Sequence, residues 1–402
     1  MIDAQVAEWL NILARWVHVI AGIMWVGNSM LFNWLDRNLE KPSADTPDKF
    51  GLAWLLHSGG FYRVEKLMLS AAEMPAVLHW FKWQSYTTWI TGFLLMIVVY
   101  YNDGGNFLIQ AGTSSLTPLQ ALGLGLVTIF GGFFAYDLVW RSPLGRKCAT
   151  ISGVVSIAVL CGVIYGLCEV FTGRSAYMHV GALLGTFMAG NVFFHIIPSQ
   201  KQLIASINAG HGFNQELADR AKQRSIHNNY FTFPLIFTMI CNHFGGVYGH
   251  EFNWLLLIII FATGALVRHF MNIRFTFKAW IPCTAATLAV ATIAIAWIVR
   301  PPEASATAVA AGDEQPVSFA EARAIINHRC LSCHSAYPTD KVLSLATGGV
   351  HYDTPEEIRH QGERIYFRAV ETKTMPFNNQ SGMTDEERAT LGRWIKQGMK
   401  IP

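Results

Sequence analysis

Hydrophobic and polar residues alternate over the first three hundred positions in long blocks, not at short intervals. About eight apolar runs are long enough to cross a hydrocarbon core of roughly 30 Å as helices. They cover residues 9–32, 83–101, 117–140, 149–171, 176–197, 229–247, 254–272 and 280–299. The pattern therefore predicts an all-α fold in which residues 1–300 form a bundle of eight transmembrane helices.

After residue 300 the pattern changes twice. Residues 301–317 are rich in proline and alanine, which predicts a semi-extended linker. Residues 318–402 then predict a small helical domain. Its first helix covers Phe319 to Arg329, with Ala322, Ile325 and Ile326 on one side. A capping box at Thr384–Glu387 opens a terminal helix through Leu391, Trp394 and Ile395.

Between these two helices lies a C-x-x-C-H motif, from Cys330 to His334. Two thiols with this spacing can add to the vinyl groups of a haem, and the adjoining histidine can ligate its iron. Met375, followed by a proline, is suited to be the second axial ligand. The motif predicts a class I-like cytochrome c domain, with a covalent haem c on Cys330 and Cys333 and its iron between His334 and Met375. A chance match or half of a zinc site is the alternative.

Composition and charge support a membrane protein. Hydrophobic residues make up 52% of the chain and charged residues only 14%, which argues against a soluble protein of this length. With the N-terminus taken as periplasmic, the four loops that face the cytoplasm hold fifteen lysines and arginines, and the short opposite loops hold one, Arg174. This bias predicts a bacterial inner-membrane protein whose N-terminus and C-terminal domain are periplasmic. Attachment of a c-type haem outside the cytoplasmic membrane requires the same orientation.

Histidines within the apolar spans are costly to place in a membrane and usually mark function. By the orientation above, His18, His179 and His243 lie in the periplasmic half. We expect two of them to bind a haem b in the membrane domain, and Arg15, one turn from His18, to pair with a haem propionate. The alternative is that each histidine only forms a hydrogen bond to a neighbouring helix.

A weak internal repeat accompanies these histidines. The first span carries His18 ahead of Gly27-Asn28, and the fifth carries His179 ahead of Gly190-Asn191. The two histidine-to-asparagine spacings differ by two residues. The pattern suggests that the eight helices are two halves of four.

The segment from Arg15 to Asn28, the segment from His179 to Asn191 and the fused C-x-x-C-H motif resemble the bacterial membrane-bound, cytochrome c-linked urate oxidases. The resemblance covers essentially the full length. It implies oxidation of urate to 5-hydroxyisourate, with electrons passed to a soluble or membrane cytochrome c and on to a terminal oxidase. It implies no catalytic residues beyond the haem c ligands. The expected partners are thus urate, the electron acceptor and the lipid bilayer, with no nucleic acid.

Urate is a flat anion, which calls for amide and cationic donors around a mostly apolar slot. Such groups occur on the predicted cytoplasmic side, where purine catabolism takes place. We expect Asn28, Asn191, His195, Arg268 and His269 to bind the substrate. For Arg268, reaching from a helix end to the membrane surface is an equally good explanation.

A different class of function also fits the sequence. The chain could be a non-catalytic membrane cytochrome subunit that relays electrons from quinol or a partner dehydrogenase through b- and c-type haems. No nucleotide, flavin or molybdenum motif separates the two hypotheses. A metal transporter fits less well, because the sequence shows neither a Met-rich segment nor a relay of cysteine pairs.

Overall fold

The computed structural model describes residues 2, 4–40, 49–102, 104–109, 115–300, 316–339, 350–376, 379 and 381–401. The chain is mostly helical, at 73%, which confirms the prediction that helices predominate. The linker expected at 301–317 lies outside the described residues except for Pro316 and Val317. Its conformation stays a prediction.

Ten helices precede residue 300 in the described part of the chain. They are α1 (Ala4–Asn38), α2 (Trp83–Met96), α3 (Pro118–Arg141), α4 (Pro143–Lys147), α5 (Ala149–Val170), α6 (Gly173–Asn208), α7 (Gln215–Ile240), α8 (Gly245–Tyr248), α9 (Asn253–Ile273) and α10 (Trp280–Ile298). Short 3₁₀ turns occur at Ala71–Glu73, Asn106–Leu108 and Cys241–His243. Three π-helical turns lie in or directly after the long helices, at Ile97–Tyr101, Val127–Gly131 and Asn191–Ile196.

Six of the described helices are long and apolar enough to cross a membrane: α1, α3, α5, α6, α9 and α10. The helices expected at 83–101 and 229–247 are present as α2 and the second half of α7, but neither belongs to these six. The reason is visible in the sequence, since α2 opens on polar residues and α7 on a charged stretch from Gln215 to Arg224. The structure thus supports several possible membrane spans, not all eight.

Helix α6 is the centre of this bundle, because 72% of its apolar window is buried, against 6–28% for the other five. Glycines on α6 allow its neighbours to come close. A Cβ atom on Gly190 would lie 2.3 Å from the Phe133 ring of α3, and one on Gly181 would lie 2.3 Å from the Thr238 hydroxyl of α7. Small residues at such contacts let helix backbones pack tightly in membranes.

A β-hairpin follows α1 and departs from the all-α prediction. Strands β1 (Lys49–His57) and β2 (Gly60–Leu67) pair antiparallel. The two-residue turn between them has positive φ at Ser58 and Gly59, as tight hairpin turns require. The prediction was wrong here because the loop was examined only for its charges, and a Ser-Gly turn between two apolar stretches indicates a hairpin.

The C-terminal residues form a second apolar cluster, separate from that of the bundle. Its helices are α11 (Phe319–Arg329), α12 (Pro355–His360), α13 (Gly362–Ile365, continued by a π-helical turn at Tyr366–Glu371) and α14 (Asp385–Lys396). The first and last were predicted. The last begins with the expected capping box at Thr384, and the first begins with one at Ser318 that was not predicted. They pack together, with the Phe319 and Trp394 ring centroids 5.8 Å apart.

Candidate functional site

A large cavity lies among α1, α2, α6 and α7, at the end of the bundle that carries Arg15 and Arg174, which we call the outer end. The space between atoms there totals about 1070 Å³, including its open mouth. Its walls are mainly apolar and include three methionines, Met96, Met178 and Met239.

His18 is the histidine of the cavity wall. Its Nδ1 lies 2.8 Å from the Thr88 carbonyl oxygen, to which it donates, and 3.2 Å from the Thr91 hydroxyl. The ring also lies against Gly92, where a Cβ atom would come within 2.8 Å of the imidazole. These contacts hold the ring in place and leave Nε2 for a ligand.

Cationic and polar groups line the same cavity. Arg174 donates from Nε to Asn242 Oδ1 at 3.0 Å, and its guanidinium carbon lies 5.9 Å from the centre of the Tyr100 ring. The Tyr100 hydroxyl is buried without a hydrogen-bond partner among the described residues. Arg15, on α1, also lines the cavity. The wall therefore offers two cations and a free hydroxyl to an anionic group.

The other two histidines expected to bind haem b lie elsewhere. His179 is fully buried, with Nδ1 2.7 Å from the Ser175 carbonyl oxygen and Nε2 2.8 Å from the Tyr101 hydroxyl. Both of its ring nitrogens are thus engaged. His243 is exposed in the 3₁₀ turn after α7. The structure brings His18 and Arg15 to one cavity and places neither His179 nor His243 on its wall.

A buried carboxylate occupies the opposite, inner part of the bundle. Asp137 on α3 accepts hydrogen bonds at Oδ1 from His195 Nε2 at 2.5 Å and from an Arg224 amino group at 2.8 Å. Its other oxygen accepts from Arg141 at 3.2 Å. Asp137, His195 and Arg224 are only 6%, 7% and 2% exposed. A negative charge in an apolar surrounding is stable only with such partners.

Further polar side chains extend this network. The Tyr136 hydroxyl lies 2.6 Å from His227 Nδ1 and accepts from Asn191 Nδ2 at 3.0 Å. Asn191 also donates to Asn228 Oδ1 at 2.9 Å. The network, here named the Asp137 cluster, consists of Tyr136, Asp137, Asn191, His195, Arg224, His227 and Asn228.

A π-helical turn in α6, Asn191–Ile196, supplies two members of the cluster. Such turns are rare and frequent at functional sites. Because Asn191 and His195 are four residues apart, both face α3 and α7 at this level. The cavity begins close by, since Thr186 lines it and Asn191 follows five residues later, about 7.5 Å along a helix axis.

Arg268 and His269 lie in a different place, between α7 and α9. Arg268 donates from Nε to Asn229 Oδ1 at 3.2 Å, and Asn272 donates to the same oxygen at 2.7 Å. His269 Nδ1 lies 2.7 Å from the Tyr230 hydroxyl. We name Asn229, Arg268 and Asn272 the α7–α9 site. The residues expected to bind the substrate therefore do not form one pocket: Asn191 and His195 lie in the Asp137 cluster, and Arg268 lies in the α7–α9 site. Asn28, half-buried on α1, belongs to neither group.

The C-x-x-C-H residues of the second apolar cluster are positioned by local contacts. Neither Cys330 nor Cys333 is in a disulfide bond, and burial raises the pKa of Cys330 to about 12. His334 Nδ1 lies 3.1 Å from the Val350 carbonyl oxygen, to which it donates, and the Tyr352 ring packs 5.1 Å from the imidazole. Burial also holds the pKa of His334 below its usual value. A neutral imidazole with a free Nε2 results.

Met375 is also fixed through its backbone. Its N–H donates to the Arg368 carbonyl at 2.9 Å, and its own carbonyl accepts from Arg388 at 2.7 Å. Two cysteine thiols, an oriented imidazole and a thioether are the donor set of a c-type haem, so these residues fit that group. Among the described residues there is no group of three or more His, Cys, Asp and Glu side chains that could hold a bare metal ion.

Several functional candidates were missed by sequence reasoning. Asp137 gave a signal, because it is a carboxylate inside the predicted span 117–140. Arg224 entered the sequence analysis only as one of the fifteen lysines and arginines of the predicted cytoplasmic loops. Arg174 entered it only as the exception to the positive-inside bias. Tyr136 and Asn228 gave no signal that distinguished them from ordinary polar residues of a helix.

The family model described as "Urate oxidase N-terminal" matches residues 4–299, from the start of α1 to the end of α10. No curated protein and no solved structure gives a significant match. The match covers the cavity, the Asp137 cluster and the α7–α9 site, and it ends before the C-x-x-C-H motif.

Proposed function

We propose that this chain, which belongs to the urate oxidase N-terminal family, oxidises urate to 5-hydroxyisourate within a membrane and passes the electrons through haem to a cytochrome c. The family match supports an oxidoreductase that acts on urate. The membrane location, the haems and the acceptor are our proposal. Six apolar helices, the outer cavity and the C-x-x-C-H motif support it.

The reaction sets two requirements for the protein. Urate and water give 5-hydroxyisourate, two protons and two electrons. The substrate must therefore lie near a group that accepts protons and near a site that accepts electrons. Haem, when bound, supplies one-electron acceptance by its ferric iron, so two equivalents are needed for each urate.

The observation that carries the proposal is the buried Asp137–His195 pair. Asp137 accepts a hydrogen bond from the N–H of His195 Nε2, which fixes the tautomer of the imidazole. His195 Nδ1 has no hydrogen-bond partner in the part of the chain that the structure describes, so its lone pair can accept a proton. A carboxylate that orients a histidine in this way makes it a general base.

Other members of the Asp137 cluster suit a flat purine. Asn191 and Asn228 offer amide groups, and the Tyr136 ring stacks on Phe187 with centroids 4.5 Å apart. Arg224 offers a planar cation. We assign Asn191 and His195 to the reaction centre, together with Asp137 and Arg224. Asn28 and His269 remain untested candidates outside it.

The outer cavity fits a haem b. His18 would ligate the iron through Nε2, and Arg15 and Arg174 would pair with the two propionates. Met178 and Met239 would supply thioether sulfurs beside the bound group. Because the cavity adjoins the Asp137 cluster along α6, the electron acceptor and the proton acceptor would lie next to each other.

The C-terminal cluster would carry the second haem. Cys330 and Cys333 would bind it covalently, with His334 and Met375 as axial ligands. On the predicted topology of eight spans with a periplasmic N-terminus, this domain would lie outside the membrane, on the same side as the outer end of the cavity. Electrons would pass from the cavity to the C-terminal haem and then to a soluble or membrane cytochrome c.

The membrane haem can be tested on the full-length protein by a pyridine haemochrome spectrum, which counts b and c haems separately. His18→Ala should lose the b haem and keep the c haem. His179→Leu, the matched control, should keep both, because both nitrogens of His179 are engaged in the protein. Loss of the b haem in His179→Leu but not in His18→Ala would contradict the assignment.

The activity itself is tested by adding urate to the purified protein without oxygen. Oxidation of urate by the chain predicts that its own haem becomes reduced and that 5-hydroxyisourate appears. The competing function, a relay subunit without substrate chemistry, predicts reduction by quinol and none by urate. That second result would overturn the proposal.

A further inference from the structure

Arg268 is a buried cation whose charge no carboxylate neutralises within the described residues. It is 3% exposed, as buried as Arg224 at 2%. Arg224 bonds to a carboxylate, whereas Arg268 bonds through Nε to an uncharged amide and lies 5.6 Å over the Phe233 ring. Its two terminal amino groups have no acceptor among the described residues. A buried charge in this state calls for an anion from outside the protein.

The hydrogen bonds fix how the α7–α9 site presents its groups. Arg268 Nε can only donate, so the amide oxygen of Asn229 must face it. Asn272 approaches the same oxygen and must therefore direct its amino group there. This leaves Asn272 Oδ1, which is buried and has no partner among the described residues. The site thus offers two free donors with a positive charge beside one free acceptor.

These groups define the chemistry of the missing ligand. The donors require an anionic or carbonyl oxygen or a deprotonated ring nitrogen, and the acceptor requires an N–H or O–H on the same molecule. The phosphate diester group itself has no such donor, so a phospholipid meets both requirements only through an amine or a hydroxyl elsewhere in its headgroup. The lipid arm of the test below distinguishes that source. A planar ring with alternating C=O and N–H groups and one negative charge satisfies both.

We propose that the α7–α9 site binds a second molecule of the substrate class, a urate-like anion, apart from the reaction centre. The Asp137 cluster lies on the other side of α7, because Asn228 bonds to α6 and its neighbour Asn229 bonds to α9. One urate therefore does not contact both sites. This inference rests on the proposed function for the identity of the anion.

The test is the stoichiometry of radiolabelled urate bound to the full-length protein in nanodiscs of uncharged, zwitterionic lipid. The wild-type protein should bind two urate molecules. Arg268→Gln should bind one. Arg274→Gln, which removes a cation just beyond the end of the same helix, is the control and should still bind two.

Asn272→Asp is the sharper variant. It places a carboxylate beside Arg268 and neutralises the site from within, so the protein should fold normally and bind only one urate. Affinity at the α7–α9 site should fall at least about tenfold. Tetramethylurate, which has neither a charge nor an N–H, should not displace the second urate.

Four results would overturn the inference: one urate bound by the wild type, two bound by Asn272→Asp, displacement by tetramethylurate, or displacement by anionic lipid added to the nanodiscs. Failure of the proposed function is a separate outcome. In that case urate would bind at neither site and would reduce no haem, whereas failure of this inference alone leaves one bound urate and reduced haem.

Discussion

Arg224 and Arg268 are both arginines buried at the inner part of the bundle, and they differ in charge balance. Arg224 shares Asp137 with His195, so its surroundings are neutralised by the protein. Arg268 has an asparagine as its partner and leaves its charge to a ligand. In our proposals the same side chain at the same burial is therefore part of a reaction centre in one place and of an anion-binding site in the other.

The two sites also differ in which polar atoms lack a hydrogen-bond partner among the described residues. In the Asp137 cluster one ring nitrogen of His195 is held and the other is free, which suits proton transfer. In the α7–α9 site the free groups are a cation and an amide oxygen, which suit recognition. His18 and His179 differ in the same way, since only His18 keeps a ring nitrogen for a ligand.

The largest expected effect concerns Asp137. Asp137→Asn removes the carboxylate that orients His195, so haem reduction by saturating urate should slow by about 10²–10⁴-fold. Stopped-flow spectroscopy measures the rate. The control is Arg141→Gln, which removes only the exposed partner of Asp137 and should react at nearly the wild-type rate. Equal slowing in both variants would mean that the carboxylate acts only as a surface contact.

The next effect is on stability and has opposite signs in the two sites. Arg224→Met leaves Asp137 without its main cation and should destabilise the urate-free protein by about 3–5 kcal/mol. Arg268→Met removes a charge that has no carboxylate partner and should leave stability unchanged or raise it by roughly 1 kcal/mol or more. Thermal unfolding in detergent measures both. Equal destabilisation would show that the two arginines are held in equivalent ways.

The smallest effect concerns a less buried counterpart of these pairs, Arg329–Glu387 in the C-terminal cluster. Burial works against the charge of Glu387, but the hydrogen bonds from Arg329 and the Thr384 backbone together with the charge of Arg329 hold its pKa below the usual value. The stabilisation is thus present above about pH 4.3 and is lost as the pH falls through the folded pKa. Glu387→Gln should remove this acid dependence of unfolding. An unchanged pH profile would assign the acid sensitivity to other carboxylates.

Much of the helical architecture could be predicted from sequence. Long apolar runs located the major helices, the apolar side of residues 319–329 located α11, and a capping box located α14, because these signals are local. The pairs that form the Asp137 cluster could not be predicted in the same way. Asp137 meets His195 and Arg224 across 58 and 87 residues of chain, and only the packing of three helices brings them together.

The division of the expected substrate residues has a similar cause. Asn191 and Arg268 both lie on the predicted cytoplasmic side, and their similar depth in the membrane was the reason to expect them in one pocket. Depth does not specify which face of α7 each residue meets. Asn228 and Asn229 are neighbours in sequence, yet they belong to different sites because successive helical residues point about 100° apart.

The proton-accepting role of His195 is the central claim, and one single-turnover measurement tests it most directly. Full-length His195→Gln and His269→Gln would each be mixed with saturating urate, and haem reduction followed by stopped-flow spectroscopy from pH 6 to 9. Both histidines are hydrogen-bonded near the inner end, but only His195 pairs with a carboxylate. The account predicts that His195→Gln is slowed by about 10²-fold or more and loses the wild-type pH dependence, while His269→Gln keeps both. A wild-type rate and pH profile in His195→Gln would contradict it.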